Sequence, residues 1–418
     1  MQRRFWVMAT LAAVAGLAGC SDDDPVTPPP PPADTVEVFP VESPPQEARA
    51  LWISRYDWSG EQQLRDLIAN AARANFNIIY MQVRGRADAY YRSNLEPWGH
   101  RPPAFVLGQD PGWDPLAVAI EAAHAEGLEL HAWINALIGW CTTDPIPETT
   151  PRHILLAHPE WKMVDQSGQT HDPVENCTFV TPGDPAARAH IAAVAADITR
   201  NYDVEGIHLD YIRYPSTAFS WDSLSRRGWA EAEVKEPGLK YDEWRRRLVT
   251  MLVREVHDSI TAVKPSARLS AAVWGVYKPR PGWTGVAGGY DTRFQDSWKW
   301  VEDGIIDAIV PMIYWPITRY YGGHLDFGWL ADDFADNVTN RHLYIGMGVY
   351  APNVDANFCK GCDVVRQIYR ARAAGGNGVS VYSGQLMRGA NAWDRLLGAV
   401  QDPRARPGHA VEAEVRRS

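Results

Sequence analysis

The sequence predicts an α/β protein, a single (β/α)8 TIM barrel with long loops on its carboxyl-terminal face. Short apolar runs alternate with longer amphipathic stretches, the pattern of βαβ units on a parallel sheet. There are eight such runs in the chain of 418 residues, and eight strand-helix units in one chain of this length argue for a closed barrel. The links are also asymmetric. Helix-to-strand joins such as "RANFNIIY", "EGLELHAW" and "YDVEGIHL" are tight, whereas strand-to-helix joins cover residues 85–113, 137–185, 214–240 and 277–295. That puts the elaboration on the face where barrel enzymes keep their active sites. An open doubly wound sheet would share this asymmetry, which therefore supports an active face more firmly than it supports closure.

The chain opens "MQRRFWVMATLAAVAGLAGCSDDD", with Arg3 and Arg4, a short apolar run, then Leu17, Ala18, Gly19 and Cys20. Residues 1–19 read as a lipoprotein signal peptide cleaved before Cys20, whose thiol and new amino group would carry acyl chains. An ordinary signal peptide with an incidental cysteine is the alternative. Ser21 follows in place of an inner-membrane retention aspartate, so the expected location is the cell envelope, lipid-anchored, on the outer membrane facing the periplasm if there are two membranes. Residues 20–46 are acidic and proline-laden and read as a disordered tether with local polyproline II stiffness. The barrel is expected over residues 47–400, with a flexible charged tail at 401–418.

A net charge of −10 without a long basic run argues against nucleic acid and against a polybasic membrane footprint. Cys141 and Cys177 flank one long loop, and "CKGC" holds Cys359 and Cys362. In an exported protein, a structural disulfide within each loop is expected. A thioredoxin-type pair at "CKGC" lacks the strand-then-helix start such motifs need, and nothing forces a four-cysteine zinc site. The sequence carries no signal for oligomeric state.

Taken in order, the strands are "ARALWISRY", "NIIYMQVRG", "LELHAWINAL", "EGIHLDYIRY", "RLSAAVWGVY", "DAIVPMIYW", "HLYIGMGVY" and "NGVSVYSG". The helices include "EQQLRDLIANAARA", "PLAVAIEAAHAEG", "PAARAHIAAVAADITRNY", "YDEWRRRLVTMLVREVHDSITAV" and "DVVRQIYRARAAG", apolar at intervals of three and four.

Strands covered on both faces should be almost continuously apolar. Here polar residues recur two apart near strand ends, and period two places each pair on one side. Gln82 pairs with Arg84, His131 and Asn135 flank Trp133, and His208 pairs with Asp210. If those sides face the axis, the barrel mouth is polar. A structural hydrogen-bond network would serve equally well for His131 and Gln82, deep in their strands. Asp210 ends the fourth strand, where barrels place catalytic groups, and Asp57 ends the first in the same way. Two carboxyl groups flanking a scissile bond are what glycoside hydrolysis requires, one ionised and one protonated. Aromatic residues at or beyond strand ends, including Trp58, Trp133, Trp140, Trp274, Trp315, Tyr56, Tyr211, Tyr314 and Tyr350, suit the C–H faces of sugars, although barrels also bury such rings as core. Dense aspartate or histidine ligand clusters are missing from the sequence, so neither a metal nor a cofactor is expected.

Read together, "RALWISRYDW", "YMQVRGRADAYYRSNLEPW", "GWDPLAVAIEAAHAEGLELHAWIN", "HPEW", "FVTPGDPAARAHI", "GIHLDYIRYP", "WKWVEDGIIDAIVPMIYWP" and "LYIGMGVY" resemble the bacterial family 10 glycosylhydrolase-like lipoproteins. The resemblance covers nearly the whole folded chain, in order. It implies a secreted, lipid-anchored glycosidase barrel acting on peptidoglycan glycan strands, above all strands stripped of their peptides. It also implies that Asp57, Arg84, Asp88, His131, Trp133, Asn135, Asp210, Tyr314 and Trp315, which fall in its motif blocks, belong to the site. "GIHLDYIRYP" is similar as well to strand four of α-amylase-like barrels and of family 18 chitinases. The strand-five acid of the former has no counterpart in "SAAVWGVY", and Ile212 stands where the latter have their acidic glutamate.

The expectation is therefore a glycan hydrolase with Asp210 as principal catalytic carboxylate and Asp57 as its partner. Glu175, Asp291 and Asp296, on loops of the same face, are reserves for the acid role. Arg84 and Arg213 are expected to bind the lactyl carboxylate of a muramic acid unit, through guanidinium–carboxylate pairing. His208, Tyr211 and Trp274 complete the expected substrate-binding set. The rival expectations are a glycan-binding lipoprotein whose chemistry has decayed and a metal-dependent hydrolase such as a polysaccharide deacetylase.

Overall fold

A computed structural model describes residues 46–101, 103–317, 325–349, 362–387 and 393. The signal peptide, Cys20, nearly all of the tether, the tail, Tyr350 and Cys359 lie outside these residues; Cys362 is described only as the backbone start of helix Cys362–Ala373. The described residues all belong to one compact unit, Val36–Ser418.

Eight parallel strands close into a barrel: β1 (Ala48–Ile53), β2 (Ile78–Arg84), β3 (Glu129–Asn135), β7 (Gly206–Asp210), β8 (Arg268–Trp274), β9 (Ala308–Met312), β10 (His342–Gly348) and β11 (Gly378–Tyr382). All eight predicted strands are in it. In the loop after β3, β4 (Ile138–Trp140), β5 (His171–Asp172) and β6 (Cys177–Phe179) form a small antiparallel sheet in the order β4-β6-β5.

Period two sorts the barrel side chains into two apolar clusters. Alternate residues such as Leu51, Ile53, Ile79, Met81, Leu130 and Ile134 face the helices. The others, including Ala48, Ala50, Trp52, Tyr80, Trp133 and Val310, fill the axis. Helix Glu61–Arg73 buries Leu64, Leu67, Ile68 and Ala71, the expected stripe. Helices Pro115–Ala125 and Pro185–Asn201 begin where the side chains of Asp114 and Asp184 accept from backbone N–H groups, with proline in the first turn.

The long loops are better ordered than the sequence pattern implied. Residues 214–240 contain helix Ser223–Lys235, which buries only Ser225 and so shows no apolar stripe. Residues 137–185 hold the small sheet, whose strands of two or three residues are too short to give a periodic signal.

Candidate active site

The carboxyl ends of the strands surround a cavity of about 460 Å³, within the usual range for small-molecule sites. Trp52 and Trp133, on the inward side of β1 and β3, line it with Tyr314 and Tyr382. The Tyr314 and Tyr382 rings stack at 5.8 Å, and the edge of Trp52 meets each of them at 6.4 and 6.2 Å.

Trp52 is held from beneath. Its Nε1 donates to His208 Nε2 at 2.9 Å, and His208 Nδ1 lies 2.8 Å from Ser270 Oγ. The imidazole stacks on Tyr80 at 3.9 Å. Burial, with the nearby His131, pushes the His208 ring well below its ordinary value, so it is neutral. Indole N–H can only donate, so Nε2 is the acceptor and Nδ1 carries the proton toward Ser270. His208 thus supports Trp52 and is not itself among the residues that line the cavity. His131 sits deeper still, 3.3 Å from Glu129 through Nε2 and against Gly206, where a Cβ would lie 2.6 Å from its Nδ1. It too is absent from the cavity lining.

Asn135 organises the next wall. Its Oδ1 accepts from Trp133 Nε1 at 3.0 Å and Gln82 Nε2 at 3.1 Å, while its Nδ2 donates to the Gly85 carbonyl at 3.2 Å. Gln82 Oε1 in turn accepts from the Arg55 backbone N–H at 3.2 Å. One buried network therefore fixes the ends of the first three strands, and satisfied networks of this kind hold a single geometry.

Asp210 ends β7 at the cavity. Its Oδ1 accepts from the Tyr211 N–H at 2.6 Å and from Arg213 Nη1 at 3.0 Å; Oδ2 accepts no hydrogen bond among the described residues. Arg213 lies over the Tyr211 ring at 4.3 Å and over Trp274 at 5.8 Å. Arg293 lies over the same Trp274 ring at 4.4 Å, and its Nη1 is 3.5 Å from Glu175 Oε1. Burial lowers the Arg293 guanidinium, with the like charge of Arg213 pushing the same way, while Glu175 opposes them. The result is a row in which two adjacent guanidinium groups are flanked by carboxylates, Asp210, Arg213, Arg293, Glu175, along one tryptophan. Trp274 is itself fixed, its Nε1 donating to the Ala287 carbonyl at 2.7 Å and its N–H to Gln295 Oε1 at 2.6 Å.

Glu175 reaches this row from the turn between β5 and β6. Asp172 Oδ1 accepts from the N–H groups of Val174 and Glu175 at 3.0 and 2.7 Å, which closes the turn. A disulfide joins Cys177 to Cys141, fastening the hairpin to the end of β4, as the sequence led one to expect of these two cysteines.

Five other expected site residues lie elsewhere. Asp57 is buried and accepts from Ser54 N–H and Ser54 Oγ, both at 2.9 Å, so it shapes the turn after β1 without lining the cavity. Arg84 departs because β2 bulges. Gln82 is level with Trp133 but Arg84 with Ile134, an outward residue, so Arg84 leaves the axis for the helix side. There its Nε and Nη2 grip Glu96 at 2.8 and 2.7 Å, and Nη1 reaches the carbonyls of Asn135 and Ala136. Asp88 is fully buried and accepts from the N–H groups of Gly85, Arg86 and His100 at 3.1, 2.7 and 2.7 Å. Asp291 is exposed in a short helix off the cavity. Asp296 caps the helix Ser297–Glu302 and accepts from Tyr277 Oη at 2.6 Å. Of the expected set, Asp210, Tyr211, Arg213, Trp133, Asn135, Trp274, Tyr314, Trp315 and the reserve Glu175 do meet at the cavity.

Several lining residues were not singled out from sequence. Trp52 shares the inward side of β1 with Ala48 and Ala50 and was legible by period two. Tyr382 ends the last strand in the same way. Arg55 sits in an irregular loop, where periodicity gives no side; so does Arg293, which packs on the lining residue Trp274.

A parallel barrel with carboxylates, guanidinium groups and aromatic faces at the carboxyl ends of its strands is a glycosidase-type barrel. The chain belongs to the glycosyl hydrolase-like 10 family, whose model matches residues 47–360. It is 30% identical over 345 residues to the glycosyl hydrolase YngK of Bacillus subtilis (strain 168), covering 77% of this chain and 65% of that one. It thus spans less than two thirds of that relative's length. It is 26% identical over 385 residues to the glycosyl hydrolase DigH of Escherichia coli (strain K12), covering 83% of each. The fold is shared with the PgaB (BpsB) glycoside hydrolase domain from Bordetella bronchiseptica, at a TM-score of 0.59 and 14% identity, covering 85% of this chain and 99% of that one.

Proposed function

We propose that this protein is a glycosidase that cleaves cell-wall polysaccharide, namely peptidoglycan glycan strands and preferably strands stripped of peptides, while anchored to lipid through Cys20. The observation that carries the catalytic part is the state of Asp210. One oxygen is fixed by Arg213 and a backbone N–H, and the other has no hydrogen-bond partner among the described residues, in an aromatic-lined cavity. Asp210 faces the anomeric carbon, where positive charge develops in the oxocarbenium-like transition state. Glu175 exchanges a proton with the glycosidic oxygen. It replaces Asp57 as the partner carboxyl because it lines the same cavity and Asp57 does not. The rings of Trp52, Trp133 and Tyr314 offer flat apolar faces to the sugars.

The test is mass spectrometry of products from glycan strands with and without peptides, incubated with the wild-type protein, Asp210→Asn and Glu175→Gln. New reducing-end fragments from denuded strands, lost in both variants, are the expected result. Strand binding without fragments in all three proteins would replace this reading with a non-catalytic glycan-binding barrel. Fragments undiminished in Asp210→Asn would remove Asp210 from the chemistry.

A further inference from the structure

Arg55, in the loop after β1, is a buried cation at the cavity that forms no ion pair among the described residues. The residue is 6% exposed and lines the cavity. Its Nη2 donates to Tyr56 Oη at 2.8 Å, and its Nε is buried without a hydrogen-bond partner. The guanidinium rests on Gly85, where a Cβ would come within 2.6 Å of Cζ and Nη1; any side chain at 85 would evict it.

Arg55 is not isolated. Arg86 Nη2 donates to the same Tyr56 oxygen at 3.1 Å, and its Nε is likewise buried and unpartnered. Arg101 lies over Trp58 at 4.9 Å with Nε and Nη2 buried and unpartnered. Burial holds the Arg101 guanidinium below its ordinary value, and the charge of Arg55 pushes it the same way. Among the described residues none of these three arginines forms an ion pair. Asp88, whose charge favours the Arg55 guanidinium without pairing with it, gives its oxygens to the backbone N–H groups of Gly85, Arg86 and His100. Across the mouth Arg213 has Asp210 and Arg293 has Glu175. Burying a cation without an anion is costly, and the cost falls when a ligand supplies the anion.

We propose that Arg55, with Arg86 beside it, binds a carboxylate of the substrate, so that the cavity takes acidic glycans in their free-acid form. The inference rests on the reading of this cavity as a glycan site. The planar guanidinium matches a carboxylate, whereas an ester or amide at the same place offers no charge. The carboxylate could come from a lactyl ether on the sugar or from a uronic acid, and the two are separable by experiment.

The experiment is calorimetric titration of the full chain carrying Asp210→Asn, with and without Arg55→Gln. The probes are oligomers of N-acetylglucosamine and N-acetylmuramic acid, as free acids and as methyl esters, and oligoglucuronate. The free acid should bind about tenfold or more tighter than the ester, the scale of one charge-assisted contact, and the two should bind alike once Arg55 is replaced. Equal affinity for acid and ester with Arg55 present overturns the proposal and leaves the glycan reading standing. Arg55-dependent binding of oligoglucuronate alone keeps the anion site and removes peptidoglycan as substrate. No binding of any probe overturns both. Arg86→Gln, at a half-buried position, is the second variant should Arg55→Gln fail to give a native near-ultraviolet spectrum; it should shrink the preference severalfold, and an unchanged preference there counts against the site.

Discussion

Arg213 Nη1 lies 3.0 Å from Asp210 Oδ1, and the residue after the aspartate makes this contact possible. Tyr211 adopts φ 48°, a left-handed conformation rare for an aromatic residue. It turns the chain so that its own N–H meets Oδ1 while Arg213 folds back over its ring. Strain of this kind is retained where geometry matters to function. Arg213→Gln should therefore lower kcat on glycan strands by about 100-fold, the scale of a lost charge-stabilising donor, with a much smaller change in KM. Steady-state kinetics decide it, and a kcat within twofold of wild type would mean that Asp210 does not depend on Arg213.

Asp57 should behave in the opposite way to Asp210. Its oxygens accept from Ser54, and Ser383 Oγ stands at 3.4 Å from Oδ1. Asp57→Asn puts an NH2 where one oxygen accepts, so it should cost about 1–3 kcal/mol of stability and leave turnover per folded molecule within a few-fold. Urea unfolding and product assays on the same preparation separate the two effects. A loss of turnover as deep as that of Asp210→Asn, at unchanged stability, would return Asp57 to the reaction.

The contrast between these aspartates shows how far the sequence reaches. In the sequence both read as strand ends and the pattern treats them alike, but β1 stops at Ile53, before Asp57, whereas Asp210 is the last residue of β7. What divides them is the turn after β1, where the N–H and hydroxyl of Ser54, with Ser383, hold the Asp57 carboxylate off the cavity. Alternation located Trp133, Asn135 and Asp210 on the inward side, since each lies in regular strand. It failed at Arg84, because a bulge one residue earlier reverses the side and no residue type marks a bulge. Glu175 was legible only as an acid on a loop of the right face. Its approach to Arg293 depends on the turn at Asp172 and on a contact between loops far apart in the chain, which no local pattern encodes.

Arg84 should matter for stability and little for catalysis. It pairs with Glu96 in full burial, and His190 Nε2 adds a contact at 3.2 Å. Burial, the largest single influence, raises the Glu96 carboxyl, but the charges and hydrogen bonds of Arg84 and His190 together outweigh it and lower it from 4.5 to about 2. A lowered acid contributes stability that is complete above its unfolded value and lost as pH falls toward its folded one. The window here is pH 4.5 down to about 2, and the contribution is roughly 3 kcal/mol. Arg84→Met should cost about 3–5 kcal/mol at pH 7 by stranding Glu96, and the deficit against wild type should narrow on acidification through that window. Denaturant unfolding at pH 7 and pH 3 tests this. An equal deficit at both would show that packing, not the ion pair, carries the loss.

The Cys141–Cys177 disulfide should act on Glu175 as much as on the fold. It closes a span of 36 residues that contains the hairpin, and Glu175 lies two positions before Cys177. Chain-entropy reasoning gives about 4 kcal/mol for a loop of this length. The stabilisation falls on a loop rather than on the barrel core, so losing it should loosen the hairpin before it unfolds the protein. Cys141→Ser with Cys177→Ser should keep the barrel's circular dichroism, raise hydrogen exchange in residues 171–180, and lower kcat about tenfold through misplacement of the acid, since small displacements of reacting groups are costly. The same double substitution added to Glu175→Gln should then cost nothing more in kcat, because the group it positions is already gone. A further tenfold loss in that background would mean that the disulfide serves some other part of the site, and an unchanged kcat in the double variant alone would mean that the turn at Asp172 suffices to hold Glu175.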